Sequence, residues 1–164
     1  MDKKEELMQQ AGFMQLKAWQ KGEDLAVAMI RMARSLPRDC QPLPTQIIGA
    51  AASTPANIAE GYARASLREY LRHLSIARAS HAETQNYIHL VKRLELVSAE
   101  QHRVLESLAA EAGSLLYGLI RSLAKKLDGD GSRRSYAIKD VPDFEYGEGT
   151  PSLTLDPAPF TLEE

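Results

Sequence analysis

Residues 98–127 read SAEQHRVLESLAAEAGSLLYGLIRSLAKKL. Leu105, Leu108, Ala112, Leu115, Leu119 and Leu123 recur at steps of three or four, the period of one face of an α-helix. Leu116, Ile120 and Leu127 widen that face. Ser98 and Gln101 stand in the order of a capping box and open the helix. A helix of this length spans roughly 45 Å, so other helices must cover its apolar stripe from end to end.

The upstream sequence supplies three. Residues 14–36 carry two apolar rows, Leu25-Met29-Met32-Leu36 and Trp19-Ala26-Ile30-Ala33, and Pro37 stops the pattern. Residues 45–61 form a shorter helical segment rich in small side chains. Pro55 there either kinks a continuous helix or opens a new one behind Thr54 as N-cap. Gly61 is placed to close the segment in a left-handed cap. Ser66 and Glu69 make another capping box, and the helix behind it runs to about Leu96, with a polar middle from Ser80 to Asn86. Short connections favour antiparallel neighbours. The predicted fold is all-α, an up-down-up-down antiparallel four-helix bundle over 14–127. An N-terminal extension precedes it over 1–13, and an irregular arm follows over 128–164. The apolar arcs of the first and last helices are wider than one bundle core needs, which predicts self-association.

The chain has 164 residues, 44% hydrophobic and 26% charged, a globular composition of single-domain length. It has no apolar run of membrane-spanning length and no secretory leader pattern. Cys40 is the only cysteine, which excludes an internal disulfide and fits a reducing, cytoplasmic setting. The net charge of −2 conceals a division. Residues 1–127 hold 17 Lys and Arg against 13 Asp and Glu, a net +4, whereas residues 128–164 hold 3 against 9, a net −6. The acidic arm is expected to lie near the basic face of the bundle and to compete there with anionic ligands.

Catalytic chemistry finds little support. A di-iron bundle needs Glu-x-x-His on two helices, and the chain has none; Glu69 and His73 are four apart. His73, His81, His89 and His102 never form His-x-x-x-His, so no metal centre is expected and no cofactor is implied. No Gly-x-Ser-x-Gly or Walker-type loop is present, and Cys40 has no histidine near it in sequence. Glu60 and Glu83 have apolar neighbours and are expected to face the interior, as hydrogen-bonded structural groups partnered by Asn57, Ser80 or an arginine, with a catalytic carboxylate pair as the alternative. The chain is therefore expected not to be an enzyme. The remaining feature is basic. Arg64, Arg68 and Arg72, at four-residue steps, line the start of the third helix, and Arg121, Lys125 and Lys126 lie at the end of the fourth. In an antiparallel pair these groups share one end of the bundle and form a candidate nucleic-acid-binding patch.

Several strings have a familiar look. They are Leu16-Lys17-Ala18-Trp19-Gln20, Gln46-Ile47, Ala50-Ala51, Pro55-Ala56-Asn57-Ile58-Ala59-Glu60-Gly61 with Arg64, Glu69-Tyr70, Leu74-Ser75-Ile76-Ala77, Ser80, Glu83, Lys92-Arg93-Leu94 and Leu116-Tyr117-Gly118-Leu119-Ile120. Over about residues 13–127 they resemble the bacterial family of 23S rRNA intervening-sequence proteins, which is similar to the accessory variability protein of diversity-generating retroelements. The resemblance implies a homopentamer of four-helix bundles that acts as a non-enzymatic accessory to RNA or a ribonucleoprotein. It offers no catalytic residues to carry over. Ile48 and Gly49 stand where members often carry two basic residues, and His81 where an apolar residue is usual. A scaffold or protein-protein interaction module without nucleic-acid binding is the alternative.

Overall fold

The computed structural model describes residues 12–129, the last two as backbone only. Four helices follow one another: α1 (Lys17–Arg34), α2 (Leu43–Tyr62), α3 (Leu67–Arg93) and α4 (Ala99–Gly129). α1 packs on α2 and α4, and α3 packs on the same two, so the helices close a ring. This is the expected all-α four-helix bundle, and no strand occurs among the described residues. The extension expected over 1–13 lies outside the described residues up to residue 11, and the arm expected over 128–164 lies outside them beyond 129.

Both capping boxes form. Ser66 Oγ accepts from the Glu69 amide at 3.2 Å and donates to Glu69 Oε2 at 2.9 Å. Ser98 Oγ accepts from the Gln101 amide at 3.1 Å, while Gln101 Oε1 accepts from the Ser98 amide at 2.8 Å. Helix boundaries shift by a few residues from the sequence reading. α1 begins at Lys17, because Gly12–Gln15 winds as a 3₁₀ turn that sets Phe13 edge-on to Trp19 at 5.3 Å. α2 runs unbroken through Pro55, which settles the alternatives for that residue in favour of a continuous helix. α3 ends at Arg93 rather than near Leu96. Glu95 adopts a left-handed φ of 55°, and the amides of Glu95 and Leu96 bond back to the carbonyls of Lys92 and Val91. That is a Schellman cap with glutamate where glycine is usual.

Gly61 does not cap α2 in a left-handed turn. It lies inside the helix, which continues to Tyr62. A Cβ at Gly61 would stand 2.7 Å from Tyr70 Cδ2 and 2.8 Å from His73 Cβ. The missing side chain lets α3 approach α2.

The core divides in two. One apolar cluster joins Leu25, Met29, Met32, Ile47, Ile88, Val91 and Leu105, and the other joins Ala18, Ile58, Leu71, Leu74, Leu116 and Ile120. Along α4 the buried row is Leu105, Leu108, Ala112, Leu116 and Ile120, while Leu115, Leu119 and Leu123 are half-buried. The helix repeat of 3.6 residues moves the row one position from the sequence stripe. Polar groups are buried with these clusters: Thr54, His81 and Thr84. Thr84 Oγ1 donates to the Ser80 carbonyl at 2.9 Å, whereas Thr54 Oγ1 and His81 Nδ1 have no hydrogen-bond partner. The His81 ring fits because residue 113 is glycine; a Cβ there would stand 2.7 Å from His81 Nε2.

Burial pushes the His81 imidazole below its usual pKa. The unfolded chain, titrating near 6.5, then binds the proton first as pH falls. His81 therefore weakens the fold below about pH 6.5, by at most about 1.4 kcal/mol per pH unit, and leaves it unaffected above. Urea unfolding of the wild type and of His81→Leu at pH 7.5 and about pH 5.5 is expected to show a smaller acid loss in the variant. Equal losses would contradict this account.

Candidate nucleic-acid interface

The six predicted basic residues gather at one end of the bundle. Leu67 and Leu71 at the start of α3 share an apolar cluster with Ile120, Leu123 and Leu127 at the end of α4, which fixes the two helix ends side by side. Arg68 and Arg72 are exposed on the first turns of α3, and Arg121, Lys125 and Lys126 are exposed on the last turns of α4. Among the described residues, no carboxylate pairs with Arg72, Arg121, Lys125 or Lys126. Such a group suits phosphate: arginine offers a planar fork for two oxygens and lysine a compact point charge.

Arg64 is engaged elsewhere. Its Nη2 pairs with Glu60 Oε1, and its Nε donates to His73 Nε2 at 3.1 Å. That bond makes Nε2 the acceptor and leaves the ring proton on Nδ1, which faces Asn57 Oδ1 at 3.4 Å and Glu60 Oε2 at 3.8 Å. Asn57 Nδ2 donates to the Ser53 carbonyl at 2.9 Å, and Ser80 Oγ donates to Ser53 Oγ at 2.9 Å. One polar seam thus runs from Arg64 to Ser80 between α2 and α3. Ser53, Asn57, Glu60 and Arg64 recur at steps of four, three and four, so their common face was present in the sequence pattern. Its partners on α3, His73 and Ser80, lie far along the chain, beyond the reach of helix periodicity.

Both Glu60 and Glu83 are hydrogen-bonded, as expected, but their expected interior placement fails. Glu60 does not face the interior: its side chain is 53% exposed, drawn outward by Arg64. Glu83 is exposed as well and accepts from the Tyr87 hydroxyl at 3.3 Å, one turn along the same helix face. These carboxylates do not form a buried pair. Cys40 sits in a 3₁₀ turn between α1 and α2, with Asp39 Oδ1 3.9 Å from its sulfur. Tyr70 at the basic end was not singled out by sequence. Burial, then Tyr62, raises its phenol to about 12, and its hydroxyl is buried with no hydrogen-bond partner. No helix is long and apolar enough to cross a membrane among the described residues.

A search of curated proteins finds no match. Among solved structures, the chain is similar to a protein of unknown function from the S23 ribosomal protein family of Bacteroides thetaiotaomicron. The two are 24% identical with a TM-score of 0.60, over 63% of this chain and 98% of that one, which shows a shared fold. Residues 14–118 match the family described as 23S rRNA-intervening sequence protein. That span contains all of α1, α2 and α3 and most of α4, with the Pro55–Gly61 string and its seam at the centre. The chain belongs to the family of 23S rRNA-intervening sequence proteins.

Proposed function

We propose that the protein is a non-enzymatic, homo-oligomeric bundle, pentameric as its family resemblance implies, that binds RNA or a ribonucleoprotein in the cytoplasm as an accessory. The observation that carries this reading is the convergence of Arg72, Arg121, Lys125 and Lys126, all exposed, at one end of the bundle. In an oligomer that end repeats, and repeated weak phosphate contacts add in free energy. Exposed Val27, Tyr62, Ile76 and Leu94 supply apolar area for self-association. Electrophoretic shift with a structured RNA is the direct test. Binding is expected at low salt, with the logarithm of affinity falling linearly against the logarithm of salt. No shift with RNA or DNA at low salt leaves the protein-protein scaffold as the reading that stands. Sedimentation at micromolar concentration is expected to give a mass several times the 18.2 kDa of one chain. A monomer there would exclude the oligomer.

A further inference from the structure

At the end of the bundle away from the basic group, α3 and α4 bring together three potential metal ligands that the RNA-binding reading does not use. His89 lies one turn before the end of α3, and His102 and Glu106 lie one turn apart at the start of α4. One ligand atom from each falls within 4.8 Å of the other two. His102 is buried at 3% exposure, while His89 and Glu106 are exposed. Its Nε2 is buried with no hydrogen-bond partner, and its Nδ1 lies 3.3 Å from Glu106 Oε2. That separation is long for a charge-assisted hydrogen bond, typically about 2.7–2.9 Å. It matches the ligand-to-ligand edge of a tetrahedral zinc site, roughly 3.3–3.4 Å for bonds near 2.0–2.1 Å. Nδ1 is therefore the atom His102 offers to the group, and the unpartnered Nε2 lies on the other side of the ring.

We propose that His89, His102 and Glu106 form a zinc site that ties the end of α3 to the start of α4 across the Leu94–Ser98 turn. The donor set decides the metal class. Two imidazoles and a carboxylate suit Zn²⁺, whereas Ca²⁺ and Mg²⁺ take oxygen ligands. Buried His102 is the fixed ligand, with Glu106 at the preset edge. Exposed His89 closes the remaining gap by side-chain rotation, since its ring centroid is 6.3 Å from that of His102. The fourth tetrahedral position is left to water. The two histidines bind as neutral rings.

The test uses full-length, tag-free protein and Zn²⁺ alone. Calorimetry is expected to show one zinc per chain, and the thermal midpoint is expected to rise with added zinc. Co²⁺ in place of zinc is expected to give the visible bands of a four-coordinate site. His89→Ala and Glu106→Gln alter exposed side chains, so both variants are expected to fold. Each is expected to lose at least about tenfold in zinc affinity. Absence of zinc binding in the wild type overturns the proposal, as does an affinity unchanged in His89→Ala and Glu106→Gln. Neither result bears on RNA binding, which rests on the opposite end.

Discussion

Replacing Arg72, Arg121 and Lys125 together by glutamate is expected to lower RNA affinity by about a hundredfold or more near 0.1 M salt. Each phosphate contact contributes about 0.7–0.9 to the salt slope, so losing three is expected to flatten that slope by about 2–3. The three side chains are exposed, and none is held by a carboxylate among the described residues. Helical content and oligomer mass are therefore expected to stay as in the wild type. Unchanged binding with an unchanged slope would remove the basic end from the interface and favour a protein-only scaffold. Arg64 is left out of the variant because its bonds to Glu60 and His73 make it part of the α2–α3 seam. Reversing its charge would mix a folding effect with a binding effect.

Gly61→Val is expected to destabilise the bundle by about 3 kcal/mol, at the upper end of ordinary overpacking. The atoms a new Cβ would meet belong to α3: Tyr70 Cδ2 at 2.7 Å, His73 Cβ at 2.8 Å and the Tyr70 carbonyl oxygen at 3.2 Å. A carbonyl and a Cβ move only with their helix, so the whole α2–α3 seam must widen. The exposed glycine at position 49 is the control, since nothing lies within 4 Å of a Cβ there. Gly49→Ala is expected to gain up to about 1 kcal/mol from helix propensity. Urea midpoints, with the slope checked for constancy, give both values. A Gly61→Val midpoint within error of the wild type would refute the close-approach account.

Much of the fold was legible because helices announce themselves locally. The apolar rows, the two capping boxes and Pro37 placed four helices within a few residues of their observed bounds. What failed depended on contacts distant in sequence. Gly61 looks like a terminator until α3 is known to press on it. Glu95 carries no mark of a left-handed residue, since its conformation follows from packing Leu96 against the core. Glu60 and Glu83 were placed by their apolar sequence neighbours, but on a helix adjacent residues point about 100° apart. The basic end was legible from spacing plus the antiparallel rule. The His89–His102–Glu106 group was not, because two of its members sit on one helix and the third reaches them only across a turn.

The polar contacts between α2, α3 and α4 also fix how the helices are aligned along their lengths. Leucine rows can mesh in more than one register, since a slip of one turn, about 5.4 Å, sets apolar side chains against apolar side chains again. Here such a slip of α3 would part Ser80 from Ser53 and His73 from Asn57 at once. It would also carry the His81 ring away from Gly113 toward Ala109 or Tyr117, one turn to either side, where a Cβ occupies the space. The polar groups that weaken the core thus act as an alignment mark, holding the two basic helix ends level with each other.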